Sequence, residues 1–102
     1  MLIHINDTNY KNFFIATSSG MCLFFKKLCP HCLNMEKVLE KFAAHMPKTS
    51  LYAIDIEENP IAAQDCDAQR APTLVVIKDG TVADAQAGLM NFKETMAFYE
   101  QA

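Results

Sequence analysis

The sequence is poor in what a loop-rich or tail-like protein needs. Its 102 residues hold 3 glycines, 4 prolines, 4 cysteines and no tryptophan. A small secreted scaffold stapled by disulfides would be denser in cysteine and richer in loops. No run of lysine and arginine occurs, and 9 basic against 12 acidic residues leave a net charge of −3 with histidine neutral. That balance argues against nucleic acid as a partner. No apolar stretch approaches the roughly 20 residues of a membrane helix. The segment Met1 to Asp7 shows no basic stretch, no long apolar stretch and no small-residue cleavage site. No secretory signal is expected from it, and a cytoplasmic location follows as the default.

What is present is a core. About half of the chain is apolar (51%), and a chain near 100 residues buries roughly two-thirds of its unfolded surface. The composition excludes a disordered tail and suits a single domain over residues 1–102. No repeat, linker or low-complexity stretch interrupts it.

Local patterns set an order of elements. Leu2 to Ile5 reads as a short strand. Asp7 or Thr8 is placed to cap a helix carrying Tyr10, Phe13, Phe14 and Ala16, which stops before Ser18-Ser19-Gly20. Met21 to Phe25 is continuously apolar, as in a strand covered on both faces. In Leu33 to Met46, the residues Met35, Val38, Leu39, Phe42 and Met46 form one helical stripe. Leu51 to Ile56 is a strand, and Asn59-Pro60 opens a short helix through Cys66. Thr73 to Lys78 and Thr81 to Gln86 flank Asp79-Gly80 as a hairpin. Asn91 and Glu94 have the spacing of a capping box ahead of a last helix. The order is β-α-β-α-β-α-β-β-α. Strand–helix alternation implies an α/β fold with a parallel unit, to which the hairpin adds an antiparallel strand.

The chemistry concentrates at Cys29-Pro30-His31-Cys32. Two cysteines three apart at a helix start close a small disulfide with little backbone movement. Unpaired N–H groups and the partial positive charge of a first turn favour a thiolate there, and Pro30 suits a position whose N–H is unpaired anyway. The first cysteine faces the helix end and solvent, so Cys29 is the expected nucleophile. Cys32, one turn in, is the expected resolving thiol. The reaction is thiolate attack on a disulfide, then release by the second thiol. Competing readings are weaker. A c-type haem site needs histidine after the second cysteine, where Leu33 stands. Zinc and iron–sulfur sites lack a second ligand pair, so no metal is expected.

These residues resemble the thioredoxin family, and three features besides the cysteine pair carry the likeness. Ala71-Pro72-Thr73 matches the family's X-Pro-Thr, Lys78-Asp79-Gly80 its hairpin, and Gly88, 16 residues after Pro72, its glycine beside the site. The resemblance covers nearly the whole chain. It implies the thioredoxin fold, a central mixed sheet of about five strands flanked by helices. It also implies a cis Pro72 packed against the active cysteines, and disulfide exchange with protein substrates. Ala71, Pro72, Gly88 and Leu28 would shape the groove where substrate docks. No dissociable cofactor is implied, since the redox centre would be the Cys29–Cys32 disulfide itself. Electrons would come from a flavoprotein of the thioredoxin-reductase kind or from glutathione, and a monomer is expected. A glutaredoxin-like or isomerase role is a rival within the class. A thioredoxin-fold binding or adaptor module is a rival outside it.

The chain departs from ordinary thioredoxin in four ways. The inter-cysteine pair is Pro-His, as in DsbA-type oxidants. Leu28 replaces the usual tryptophan. The family's buried aspartate, six residues before the first cysteine, is Leu23, and its lysine partner is Ala53. Cys32 is thereby left without an obvious base. His31, Lys26, Lys27 and Arg70 are expected to set a positive field around Cys29, making the disulfide more oxidising than thioredoxin's roughly −270 mV. The three cationic chains fit an ordinary solvated face equally well. Cys22 and Cys66 read as core residues, and His4 and His45 take no role.

Overall fold

The structure, a computed structural model, describes residues 2–102. Nine elements follow one another: β1 (Ile3–His4), α1 (Tyr10–Ile15), β2 (Ser19–Phe25), α2 (Pro30–His45), β3 (Ser50–Asp55), α3 (Pro60–Asp65), β4 (Thr73–Lys78), β5 (Thr81–Ala87) and α4 (Phe92–Gln101). They form one five-stranded sheet in the order β1-β3-β2-β4-β5. The uninterrupted apolar run thus becomes the central strand. Alternate side chains of β2 serve two cores. Met21 and Leu23 face the layer of α2 and α4, with Leu39, Phe42 and Phe98. Cys22 and Phe24 face the layer of α1 and α3, with Phe14, Tyr52 and Ala62.

β1 and β2 both run parallel to β3. β4 runs antiparallel to β2, so the parallel unit ends at β3. The chain through α3 does not return across the sheet before β4 begins, unlike the chain through α1, which is also six residues long. β4 starts at the end where β2 and β3 finish, with Thr73 opposite Phe24. This puts the residues before β4 beside the residues after β2.

The helix starts differ in origin. Asn91 and Glu94 form the expected capping box on α4. Asp7 does not cap α1. Its carboxylate accepts from the N–H groups of Ile61 (3.2 Å) and Ala62 (2.7 Å) at the start of α3. The side chain of Asn59 in turn accepts from the Asp7 N–H (2.9 Å). The turn into α1 is held instead by Asn6, whose side-chain oxygen accepts from Thr8 and Asn9. At the hairpin, Asp79 (φ 52°) and Gly80 (φ 80°) both take left-handed backbone, as a two-residue turn with matching twist requires.

Candidate active site

β2 delivers the chain to the site. Its last residue, Phe25, is tied to β3 by the Ile56 N–H donating to its carbonyl at 2.9 Å. Lys26, Lys27 and Leu28 make the turn, with Leu28 at a φ of 57° and its side chain fully exposed. A leucine in left-handed backbone is uncommon, and such strained residues concentrate at functional sites. Cys29 follows as the N-cap of α2, with Pro30 in the first turn. The Cys29 sulfur accepts from the Cys32 N–H at 3.2 Å. It thus takes the place a Ser or Asp oxygen holds in an ordinary cap. Cys29 and Cys32 are joined as a disulfide, their Cα atoms 5.2 Å apart. Cys29 is half-buried, whereas Cys32 is only 4% exposed.

The second wall comes from the segment before β4 and the end of β5. The Ala71–Pro72 bond is cis. The Pro72 carbonyl accepts from the Gly88 N–H at 2.8 Å, which ties the two segments together. Gly88 has a φ of 100° and open space around it, so its backbone rather than crowding favours glycine. His31, Arg70, Ala71, Pro72, Ala87 and Gly88 line one open cavity of about 230 Å³. On the other side of the cysteines lies a cavity of about 220 Å³. Lys26, Lys27, Leu28 and both cysteines line it, above a floor of Leu23 and Phe25. The cationic chains are therefore divided, with Arg70 beside His31 on the Pro72 side and Lys26 and Lys27 on the other.

The three cationic chains are not equivalent. The Lys27 ammonium meets the Glu58 carboxylate at 2.8 Å. That hydrogen bond and the nearby negative charge hold the Lys27 pKa up. Among the described residues Lys26 has no such partner. Sequence reasoning missed two residues of the second cavity, Leu33 and Glu36. The signal for Glu36 is its spacing, four residues after Cys32 on a helix. Leu33, 62% exposed, adds with Leu28 an apolar collar.

The other two cysteines lie elsewhere. Cys22 and Cys66 are both free and buried in the core beneath α1 and α3. Burial, with a smaller push from Asp65, raises the Cys66 thiol to about 11. Burial raises Cys22 as well. No group of three or more metal-ligating side chains forms among the described residues. No helix there is long and apolar enough to cross a membrane.

Comparison with known proteins agrees with this geometry. The family model described as thioredoxin matches residues 1–101. The thioredoxin of Chlamydia trachomatis serovar D is 33% identical over 87 residues, covering 83% of this chain and 85% of the relative. A Staphylococcus aureus thioredoxin is 30% identical over 99 residues, covering 94% and 91%. Among solved structures, reduced desulfothioredoxin from Desulfovibrio vulgaris Hildenborough is 40% identical with a TM-score of 0.86, covering 98% of this chain and 97% of that one. Oxidised mitochondrial thioredoxin 3 from Saccharomyces cerevisiae has a TM-score of 0.88 at 22% identity, covering 99% and 95%, and speaks to the fold alone.

Proposed function

The chain belongs to the thioredoxin family, and from that premise we propose how this thiol–disulfide oxidoreductase divides its reaction among its residues. In the reducing direction, the Cys29 thiolate attacks one sulfur of a substrate disulfide. A Cys29–substrate disulfide forms, and the other substrate sulfur leaves as a thiolate. Cys32 then loses its proton and attacks the Cys29 sulfur. The Cys29–Cys32 disulfide forms, and the second substrate thiolate is released and protonated. Two electrons pass from the cysteine pair to the substrate. Run backwards, the same steps oxidise a substrate dithiol.

The observation that carries this assignment is the Cys29 sulfur at the N-cap of α2, accepting the Cys32 N–H. The same hydrogen bond and the helix dipole are available to a thiolate. His31 adds a hydrogen-bond donor and Lys26 a positive charge nearby, and Lys27 adds less because Glu58 offsets it. A favoured thiolate stabilises the reduced form, so the disulfide is a stronger oxidant than that of ordinary thioredoxin. Substrates are protein disulfides. They dock between the exposed Leu28 and Leu33 on one side and Ala71, Pro72 and Gly88 on the other. A flavoprotein reductase of the thioredoxin-reductase kind, or glutathione, returns the electrons.

The test is the reduction potential of the pair in a glutathione redox series, with thiols counted by alkylation and mass. A value between roughly −200 and −120 mV is expected. A value near roughly −270 mV would make the pair an ordinary reductant and remove the tuning role of His31 and Lys26.

A further inference from the structure

The resolving step needs a proton acceptor, and the strand beneath Cys32 offers none. Leu23 and its register partner Ala53 are each 1% exposed and apolar. Apolar burial disfavours a thiolate, so a base must come from another direction. We propose that Glu36 takes the proton from Cys32 through water in the cavity they share. The inference rests on the assignment of Cys32 as the resolving thiol.

Three observations carry it. Glu36 lies four residues after Cys32 in α2, so both side chains emerge on one face. Both line the cavity of about 220 Å³, with Leu23 and Phe25 as its apolar floor. A volume of that size admits several waters at roughly 30 Å³ each. Glu36 is half-buried and is the one carboxylate lining that cavity.

The surrounding charges leave it free to act. Lys26 and Lys27, from the turn after β2, are the other charged chains of the cavity wall, and an ammonium has no lone pair with which to take a proton. Lys27 is paired with Glu58. From β1, His4 packs edge-on against Phe25 with ring centroids 5.5 Å apart, behind the floor rather than in the wall. From α4, Phe92 stacks near Lys41 and His45, more than a helical turn beyond Glu36. On α2 itself Lys37 and Glu40 are exposed.

With an internal acceptor, Glu36 takes the proton as the Cys32 thiol attacks, so the rate does not follow the amount of free thiolate. Without it, the step waits for free thiolate, whose fraction rises tenfold per pH unit. The two cases are separated by stopped-flow mixing of reduced protein with excess 5,5′-dithiobis(2-nitrobenzoate). The first thionitrobenzoate released reports attack by Cys29 and depends on reagent concentration. The second reports attack by Cys32 on the mixed disulfide and does not. Cys22 and Cys66 are buried and fall outside these phases.

In the wild-type protein the second phase should be nearly level between pH 6 and 8. Glu36→Gln should slow it about tenfold or more at pH 7 and give it a tenfold rise per pH unit. At high pH the variant should catch up with the wild type, because a negative charge beside Cys32 has been removed. Glu36→Asp should restore much of the level region, and His4→Gln should leave it in place. A Glu36→Gln profile identical to the wild type would overturn the inference, as would a parallel slowing at every pH, which marks a packing defect. Loss of the level region in His4→Gln would move the role to His4. Absence of any reagent-independent second phase in the wild type would instead overturn the assignment of Cys32 on which the inference rests.

Discussion

Cys29 and Cys32 lie at the start of a helix and line one open cavity, while His31 between them lines a second. Cys22 and Cys66 lie inside the core between the sheet and the short helices. The same side chain meets opposite physics in the two regions. At the helix start, in the proposed reading, backbone N–H groups and nearby cations favour the ionised sulfur. In the core, burial favours the neutral thiol and pushes Cys66 up to about 11. At neutral pH its thiolate fraction is then on the order of 10⁻⁴. Position in the fold, not cysteine itself, divides four thiols into a redox pair and two small packing residues.

The largest expected effect tests that division directly. Cys29→Ser should abolish the dithiol-driven reduction of insulin, followed by turbidity. Cys66→Ala should keep the activity within about twofold, since it removes only a buried sulfur. Full activity in Cys29→Ser, or complete loss in a folded Cys66→Ala, would break the comparison.

The same contrast explains what could be read without coordinates. The helix-start pair was legible because the signals are local: Cys-x-x-Cys, Pro30 in the first turn, and the stripe of Met35, Leu39 and Phe42 behind it. The central place of β2 was legible because a run apolar on both faces has to be covered on both. The hairpin at Asp79-Gly80 and the capping box at Asn91 and Glu94 are also carried by adjacent residues. What escaped is non-local. Asp7 stands beside a plausible helix start, yet its carboxylate serves α3, 54 and 55 residues away. β4 followed the alternation of an α/β unit, yet it runs antiparallel to β2, a pairing between residues some fifty positions apart. Glu36 looked like any charge off the apolar stripe until Leu23 and Phe25 closed a cavity beneath it.

A second, intermediate effect concerns the core pair alone. Cys66 ionises at about 11 in the folded protein and nearer its ordinary 9.0 when unfolded. Between these values the unfolded chain has lost the proton and the folded one keeps it. Stability is therefore unaffected below about pH 9 and falls as pH rises towards about 11. Cys22 and Tyr10, both raised chiefly by burial, push the same way. Tyr99 opposes them. Burial alone would raise it, but hydrogen bonds with Ser19 and Thr49 and the Lys78 ammonium together lower it. Thermal unfolding from pH 8 to 11, compared between wild type and Cys66→Ala, isolates the thiol. The variant should lose less stability across that window, and an equal loss would mean that burial does not control Cys66.

The smallest effect sharpens the other half of the contrast. Lys26 lines the cavity beside Cys29 and has no carboxylate partner among the described residues, whereas Lys27 is offset by Glu58. Lys26→Glu should therefore shift the potential of the pair in the negative direction, and Lys27→Glu should shift it less. Both chains are exposed, so screening limits the shift for Lys26→Glu to on the order of 10 mV. Raising salt towards 1 M, where the Debye length is about 3 Å, should erase most of it. The N-cap hydrogen bond lies within the site and is not screened, so the part of the proposed oxidising potential that it supplies should survive high salt. If instead the potential falls to that of ordinary thioredoxin in high salt, the cations rather than the helix start set the chemistry of Cys29. If Lys26→Glu and Lys27→Glu shift it equally, the pairing with Glu58 does not distinguish the two lysines.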